Sequence, residues 1–70
     1  MYFKRIRDLR EDNDLTQQEV AIYLKINRVV YNRYENGTRD IPVELLIGLS
    51  KLYKKSIDYI VENEKELSLK

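Results

Sequence analysis

Four residues between positions 28 and 33 carry the side chains best suited to recognition chemistry in this 70-residue chain: Arg28, Val29, Asn32 and Arg33. At helical periodicity they fall on one stripe, while Val30, Tyr31 and Tyr34 fall on another. Aromatic bulk belongs in the core, so the first stripe is expected to face outward with two arginines, an amide and one valine, and no acid. Such a set matches the edges of DNA base pairs. A guanidinium spans guanine O6 and N7, an asparagine amide can pair with adenine, and an apolar group suits the thymine methyl. Each bidentate contact discriminates by roughly 1–3 kcal/mol. An arbitrary polar helix face is plain solvated surface; the stretch around this one argues otherwise.

That stretch, residues 16–37, reads TQQEVAIYLKINRVVYNRYENG. Thr16 to Glu19 form a capping box, in which the Thr hydroxyl accepts from the backbone three residues on and the Glu reaches back. Leu15 and Val20 are spaced for the accompanying hydrophobic staple. Asn27 is a second strong N-cap. The two caps predict a short helix over residues 17–24, a turn of about three residues, and a second helix ending near Glu35-Asn36-Gly37, where glycine suits a left-handed cap. Helix, tight turn and helix can hold one helix across a duplex while the next enters the major groove. The turn lacks glycine. A left-handed Lys25 would cost roughly 1 kcal/mol against Gly, and Ile26 is expected to be buried as the plug of the elbow.

Phosphate contacts are expected around this motif. Gln17 and Gln18 start a helix whose N–H groups carry partial positive charge. Asn27 is a cap that can add a phosphate contact, and Asn36, Thr38 and Arg39 follow the reading helix where a second phosphate could be clamped. From residue 17 to 39 the basic residues are Lys25, Arg28, Arg33 and Arg39, against the acids Glu19 and Glu35. The whole chain, by contrast, has 13 Lys+Arg against 12 Asp+Glu and a net charge of +1.

The rest of the chain supplies the scaffold. Phe3, Ile6, Leu9 and Arg10 define a first amphipathic helix over about residues 2–12. Pro42 is expected near the first position of a fourth helix carrying Leu45, Leu46, Leu49, Leu52 and Tyr53. Ser56 caps a fifth helix carrying Ile57, Ile60 and Val61. These elements define one helical domain over residues 1–61, followed by an acidic extension or tail over residues 62–70. No strand signal competes, so the chain reads as all-α with five helices. The acids Asp58, Glu62, Glu64 and Glu66 are expected to be solvated. With no cysteine and no histidine, thiolate metal sites, disulfides and the commonest proton shuttle are missing. Neither an enzyme nor a metal or cofactor site is expected. No apolar run approaches bilayer-spanning length and the N-terminus is no signal peptide, so a cytoplasmic protein is expected.

LTQQEVAIYLKIN, RVVYNRYENGTRDIP and LLIGLSKLYKKSIDYIV, in this order and spacing, resemble the Cro/repressor-type helix-turn-helix of the XRE family, in the variant common in Gram-positive bacteria and their phages. The likeness spans about residues 3–61. It implies a compact five-helix bundle of the lambda-repressor-like type and a sequence-specific regulator of transcription, a repressor, that binds double-stranded DNA. It also implies a phosphate contact at Gln17 and a partly buried ion pair between Arg10 and Glu35. The chain departs from the family pattern at Lys25, where glycine is common, at Lys55, where an apolar residue is, and at Val29 and Val30, where Ser or Thr is. One such head makes limited contact, so a two-fold homodimer is expected on a pseudo-palindromic site with half-sites ~34 Å apart. Ile57, Ile60, Val61 and Leu67 are its expected surface. The competing reading is an antitoxin-like protein–protein module using exposed Ile22, Tyr23 and Ile47. Neither a membrane nor a small-molecule ligand is evident as a partner.

Overall fold

In the computed structural model residues 2–62 are described, and their regular structure is entirely helical. The elements are α1 (Lys4–Asp12), α2 (Gln17–Leu24), α3 (Arg28–Glu35), α4 (Val43–Tyr53) and α5 (Ile57–Val61). The all-α, five-helix expectation is met, with an architecture of the lambda-repressor-like type. α2 packs on α3, and α1 packs on both α3 and α5, while α4 contacts α2 and α5. α3 is thus backed by α1 and α2 together.

Local chemistry sets the helix ends. At the start of α2, the Glu19 N–H donates to Thr16 Oγ1 at 3.1 Å and the Thr16 N–H donates to Glu19 Oε1 at 2.8 Å, which completes the capping box. At the start of α3, Asn27 Oδ1 accepts from the Val29 N–H at 2.7 Å. Ser56 caps α5 by accepting from the Tyr59 N–H at 3.0 Å. α1 begins two residues later than its periodicity predicts, because Phe3 stays extended and caps without a side-chain hydrogen bond. Pro42 likewise serves as the N-cap of α4, one residue earlier than expected; its carbonyl accepts from Leu45 and Leu46.

Three helices end on a non-glycine residue in the left-handed region: Asp14 (φ 56°), Lys25 (φ 60°) and Lys54 (φ 56°). After α2, the Lys25 N–H reaches the Ile22 carbonyl at 3.1 Å and the Ile26 N–H reaches Ala21 at 3.0 Å. This is the paired closure of a Schellman motif. It draws Ile26 back onto the core, where it is half-buried rather than fully covered.

The core comprises Ile6, Leu9, Val20, Ala21, Tyr31, Ile41, Leu46, Leu49, Tyr53 and Ile60. Two sequence expectations fail against it. Val30 is half-buried outside that cluster, and its place on the inner stripe of α3 is taken by Glu35, only 4% exposed. Of the expected dimer surface, Ile60 does not fit. Ile60 has 0% exposure, and Ile57 and Val61 pack half-buried against the same core. A five-residue helix seated on α1 spends its apolar residues on its own domain. Leu67 lies outside the described residues. Glu62, expected to be solvated with the acidic tail, is instead bound to the domain. It accepts from Arg5 Nη1 at 2.5 Å, and the same guanidinium lies 4.1 Å from the Tyr59 ring centroid.

Candidate nucleic-acid interface

Glu35 is the hub from which the outward face of α3 is set. Arg10 grips it bidentately, Nε to Oε2 at 2.8 Å and Nη2 to Oε1 at 3.0 Å, and sends Nη1 to the Leu15 carbonyl at 2.8 Å. The Tyr31 hydroxyl donates to Oε2 at 2.6 Å, and Gln17 Nε2 donates to Oε1 at 3.1 Å. A carboxylate offers about four acceptor positions, and here four donors meet it. Burial alone would push the Glu35 carboxyl up, but the hydrogen bonds from Arg10, Tyr31 and Gln17 outweigh it and hold the group below the usual carboxylate range. The hydrogen bond to Glu35 pushes Arg10 up from its ordinary value against the opposing effect of burial. Burial first, then the hydrogen bond to that carboxylate, pushes Tyr31 far above the ordinary phenol range.

This arrangement locks three helices together. Arg10 comes from α1, Gln17 from α2, and Tyr31 and Glu35 from α3. Nothing in residue spacing alone pairs positions 10 and 35; the resemblance implied that pair. The roles of Tyr31 and Gln17 were not foreseen. The i, i+4 spacing of Tyr31 and Glu35 was the available signal for the first.

With Tyr31 and Glu35 turned inward, the opposite arc of α3 is left to solvent. Arg28, Val29 and Arg33 are exposed, Val29 to 47%, and Asn32 is half-buried between them. At helical geometry the four span an arc of roughly 140°. Both acids of residues 17–39 are engaged within the fold, Glu19 in the capping box and Glu35 in the ion pair. The exposed Lys25, Arg28, Arg33 and Arg39 therefore dominate the local field.

The phosphate candidates divide. Gln17 directs both amide hydrogens inward, one to Glu35 and the other to Asn32 Oδ1 at 3.0 Å. Gln18 is exposed at the helix start. Asn27 uses its oxygen as a cap. Asn36 Oδ1 accepts from the Thr38 N–H at 3.1 Å and from the Thr38 hydroxyl, while the Arg39 N–H closes back on the Arg33 carbonyl at 3.2 Å. That loop is folded by its own polar groups and leaves Arg39 on the surface beside the end of α3. A cleft of about 350 Å³ opens next to it, with Arg7, Gln17, Asn32 and Asn36 on its walls.

A helix-turn-helix family model matches residues 6–60, most of the chain. The chain belongs to the helix-turn-helix regulators of the XRE/Cro-repressor family. The match is to the helix-turn-helix domain of DNA-binding transcriptional regulators. It is 36% identical to the uncharacterized HTH-type transcriptional regulator YobD of Bacillus subtilis, over 87% of this chain and 54% of that protein. It is 36% identical to the cryptic phage CTXphi transcriptional repressor RstR of Vibrio cholerae, over 90% of this chain and 57% of the relative. It is 38% identical to the antitoxin PezA of Streptococcus pneumoniae, over 97% of this chain and 43% of the relative. The chain thus spans about half the length of the curated relatives it matches. No solved structure matches it significantly. Among the described residues no helix is long and apolar enough to cross a membrane, and no cluster of potential metal-binding residues occurs.

Proposed function

We propose that this helix-turn-helix domain reads operator DNA by placing α3 in the major groove, with Arg28, Val29, Asn32 and Arg33 against base edges, and that it represses transcription in the cytoplasm by occupying its site. One observation carries the reading: the exposed arc of α3 bears two arginines and no acid, while both acids of the surrounding segment are consumed internally. Phosphates are held from the sides. Arg39, Thr38 and Asn36 flank the end of α3, and the Asn27 amide NH2 flanks its start. Gln17 and Gln18 contribute through the helix-start backbone N–H groups, since the Gln17 side-chain donors are already committed. Two copies on a pseudo-palindrome, half-sites ~34 Å apart, supply the contact one head lacks.

Selection of bound duplexes from a random library tests this directly. The expected result is a two-fold-symmetric consensus whose binding weakens steeply with salt as counterions are released. Recovery of no consensus would sink it. A second reading, an interaction module of the antitoxin kind, is favoured by the likeness to an antitoxin and by the exposure of Ile22 (64%), Tyr23 and Ile47. Under that reading, replacing Ile22 and Tyr23 abolishes function while Arg28→Ala and Arg33→Ala do not.

A further inference from the structure

We propose that the outer face of α4 is a self-complementary docking surface for a second copy of this chain. Val43 and Ile47 of the two copies meet antiparallel across a two-fold axis, with Glu44 of each copy against Lys51 of the other. The proposal rests on the two-copy reading above and adds the surface that joins the copies.

α4 turns Leu46, Leu49 and Tyr53 into the core. Away from it Val43 is 61% and Ile47 40% exposed, one turn apart and therefore neighbours on the helix surface. Glu44 and Lys51 are exposed beside them, and Lys51 lies one turn beyond Ile47. Among the described residues neither Glu44 nor Lys51 has an ion-pair partner. The side of α4 that meets α2 is marked by Gly48, where an added Cβ would lie 2.7 Å from Leu24 Cδ2. Ile47 points roughly 100° around the helix from that contact, so α2 leaves it open.

The order of the charges selects the occupant. Glu44 and Lys51 are two turns apart, about 10 Å along the axis, too far to pair within one helix. An antiparallel copy centred between Ile47 and Gly48 reverses that order and sets each acid opposite the other copy's lysine. Two ion pairs then bracket an apolar centre of two Val43 and two Ile47. This is the isologous pattern of a two-fold contact, in which residue i meets j and j meets i. A parallel copy would set like charges together. Ile22 and Tyr23 on α2 have no such bracket, since the nearby acid Glu19 is spent in the capping box. The face belongs to one helix of 11 residues, about 16 Å long, well short of the ~800 Å² per partner of a stable interface. The copies therefore associate weakly alone, and two half-sites on one operator complete the association by holding them together.

Self-association of the free protein, measured without DNA, tests the surface by itself. Amide chemical shifts followed by NMR up to about 1 mM protein should move with concentration at Val43, Glu44, Ile47 and Lys51. Ile47→Glu should abolish that dependence and Ile22→Glu should leave it unchanged. Glu44→Lys and Lys51→Glu should each weaken association on the order of tenfold, and the two together should restore it. All these positions are exposed, so the variants should keep the native melt. Shifts that ignore concentration overturn the proposal and leave the face to a different protein. Loss of association in Ile22→Glu, or no recovery in the double variant, overturns it equally. On operator DNA, Ile47→Glu should lower affinity for the full two-fold site on the order of tenfold and keep the half-site consensus. Unchanged affinity overturns the proposal. A selection with no consensus refutes groove reading and leaves the self-association result standing.

Discussion

Tyr31 and Glu35, one turn apart on α3, are joined by a 2.6 Å hydrogen bond from the phenol to carboxylate Oε2. Tyr31 is fully buried and Glu35 nearly so. Their shared burial defines the inner face of α3, and Arg10 bolts that face to α1. The arc carrying Arg28 and Arg33 faces outward because this pair faces in. The orientation that the proposed DNA reading requires is therefore held by a polar interaction as well as by apolar packing.

Removing the arginine should expose how much depends on it. Arg10→Ala leaves Glu35 buried with an uncompensated charge and should cost on the order of 3 kcal/mol. For a chain this small that is a fall in Tm of more than roughly 10 °C. Arg28→Ala and Arg33→Ala, on exposed positions, should each change stability by less than about 0.5 kcal/mol. Thermal melts of the three variants check the contrast, and an unchanged melt for Arg10→Ala would refute the role of the ion pair.

Stability should depend on pH at both ends of the scale. Glu35 has a lowered pKa in the fold, so the native state holds fewer protons than the unfolded chain as pH falls below the ordinary carboxyl value of about 4.3. Its stabilisation is present above that pH and is lost as pH drops through the folded value. Tyr31 and Tyr53 run the other way. Both are raised, chiefly by burial, Tyr53 to about 12. Their stabilisation is intact below the unfolded phenol value of about 10 and declines as pH rises above it. Urea titrations across pH should show both declines, and Tyr31→Phe should shrink the alkaline one. The Tyr53 hydroxyl is buried without a hydrogen-bond partner, so Tyr53→Phe should be near neutral at pH 7.

The elbow can be improved. Lys25 sits at φ 60°, a region where glycine avoids the penalty of a Cβ. Lys25→Gly should gain roughly 0.5–1 kcal/mol, seen as a Tm higher by a few degrees. An unchanged or lower Tm would show that the Lys side chain compensates.

At the far end of α3 the opposite substitution should hurt. Gly37 has φ +83°, and a Cβ placed there would lie 2.8 Å from Tyr2 Cβ and 3.0 Å from its Cα. Gly37→Ala combines left-handed strain with a clash against backbone, and should cost more than about 1 kcal/mol. Chemical denaturation gives the number. A neutral result would mean that the N-terminal segment moves aside freely.

Arg39 offers a clean electrostatic test. It is exposed beside the end of α3, and as a phosphate contact it should contribute about one unit to the slope of log K against log salt. Arg39→Ala should weaken binding evenly across operator variants and reduce that slope, without altering base preference. A changed consensus would instead make Arg39 a reader of bases.

Much of this was legible in residue order, because capping and periodicity are local. Thr16, Glu19, Asn27 and Ser56 mark helix starts within four residues of the groups they satisfy, and the tyrosines of α3 assign its inner face by bulk alone. Periodicity misled at α5. Its apolar residues announce a buried face but not which surface buries it, so Ile60 read as a dimer contact although it fills the chain's own core. Glu35 was placed by the resemblance, as the partner of Arg10, and not by periodicity. A carboxylate on the apolar stripe of a helix looks like an intruder until partners from two other helices are seen around it.

By itself, the sequence determined five helices, the helix-turn-helix between residues 17 and 35, and the set of side chains that α3 turns to solvent. These follow from interactions that span a single turn. Only the tertiary structure decided that Arg10, Gln17 and Asn32 form one hydrogen-bonded chain through Glu35. Donor and acceptor polarity passes across α1, α2 and α3 at contacts 15 to 25 residues apart, and one-dimensional spacing carries no record of which atom of an amide faces its neighbour.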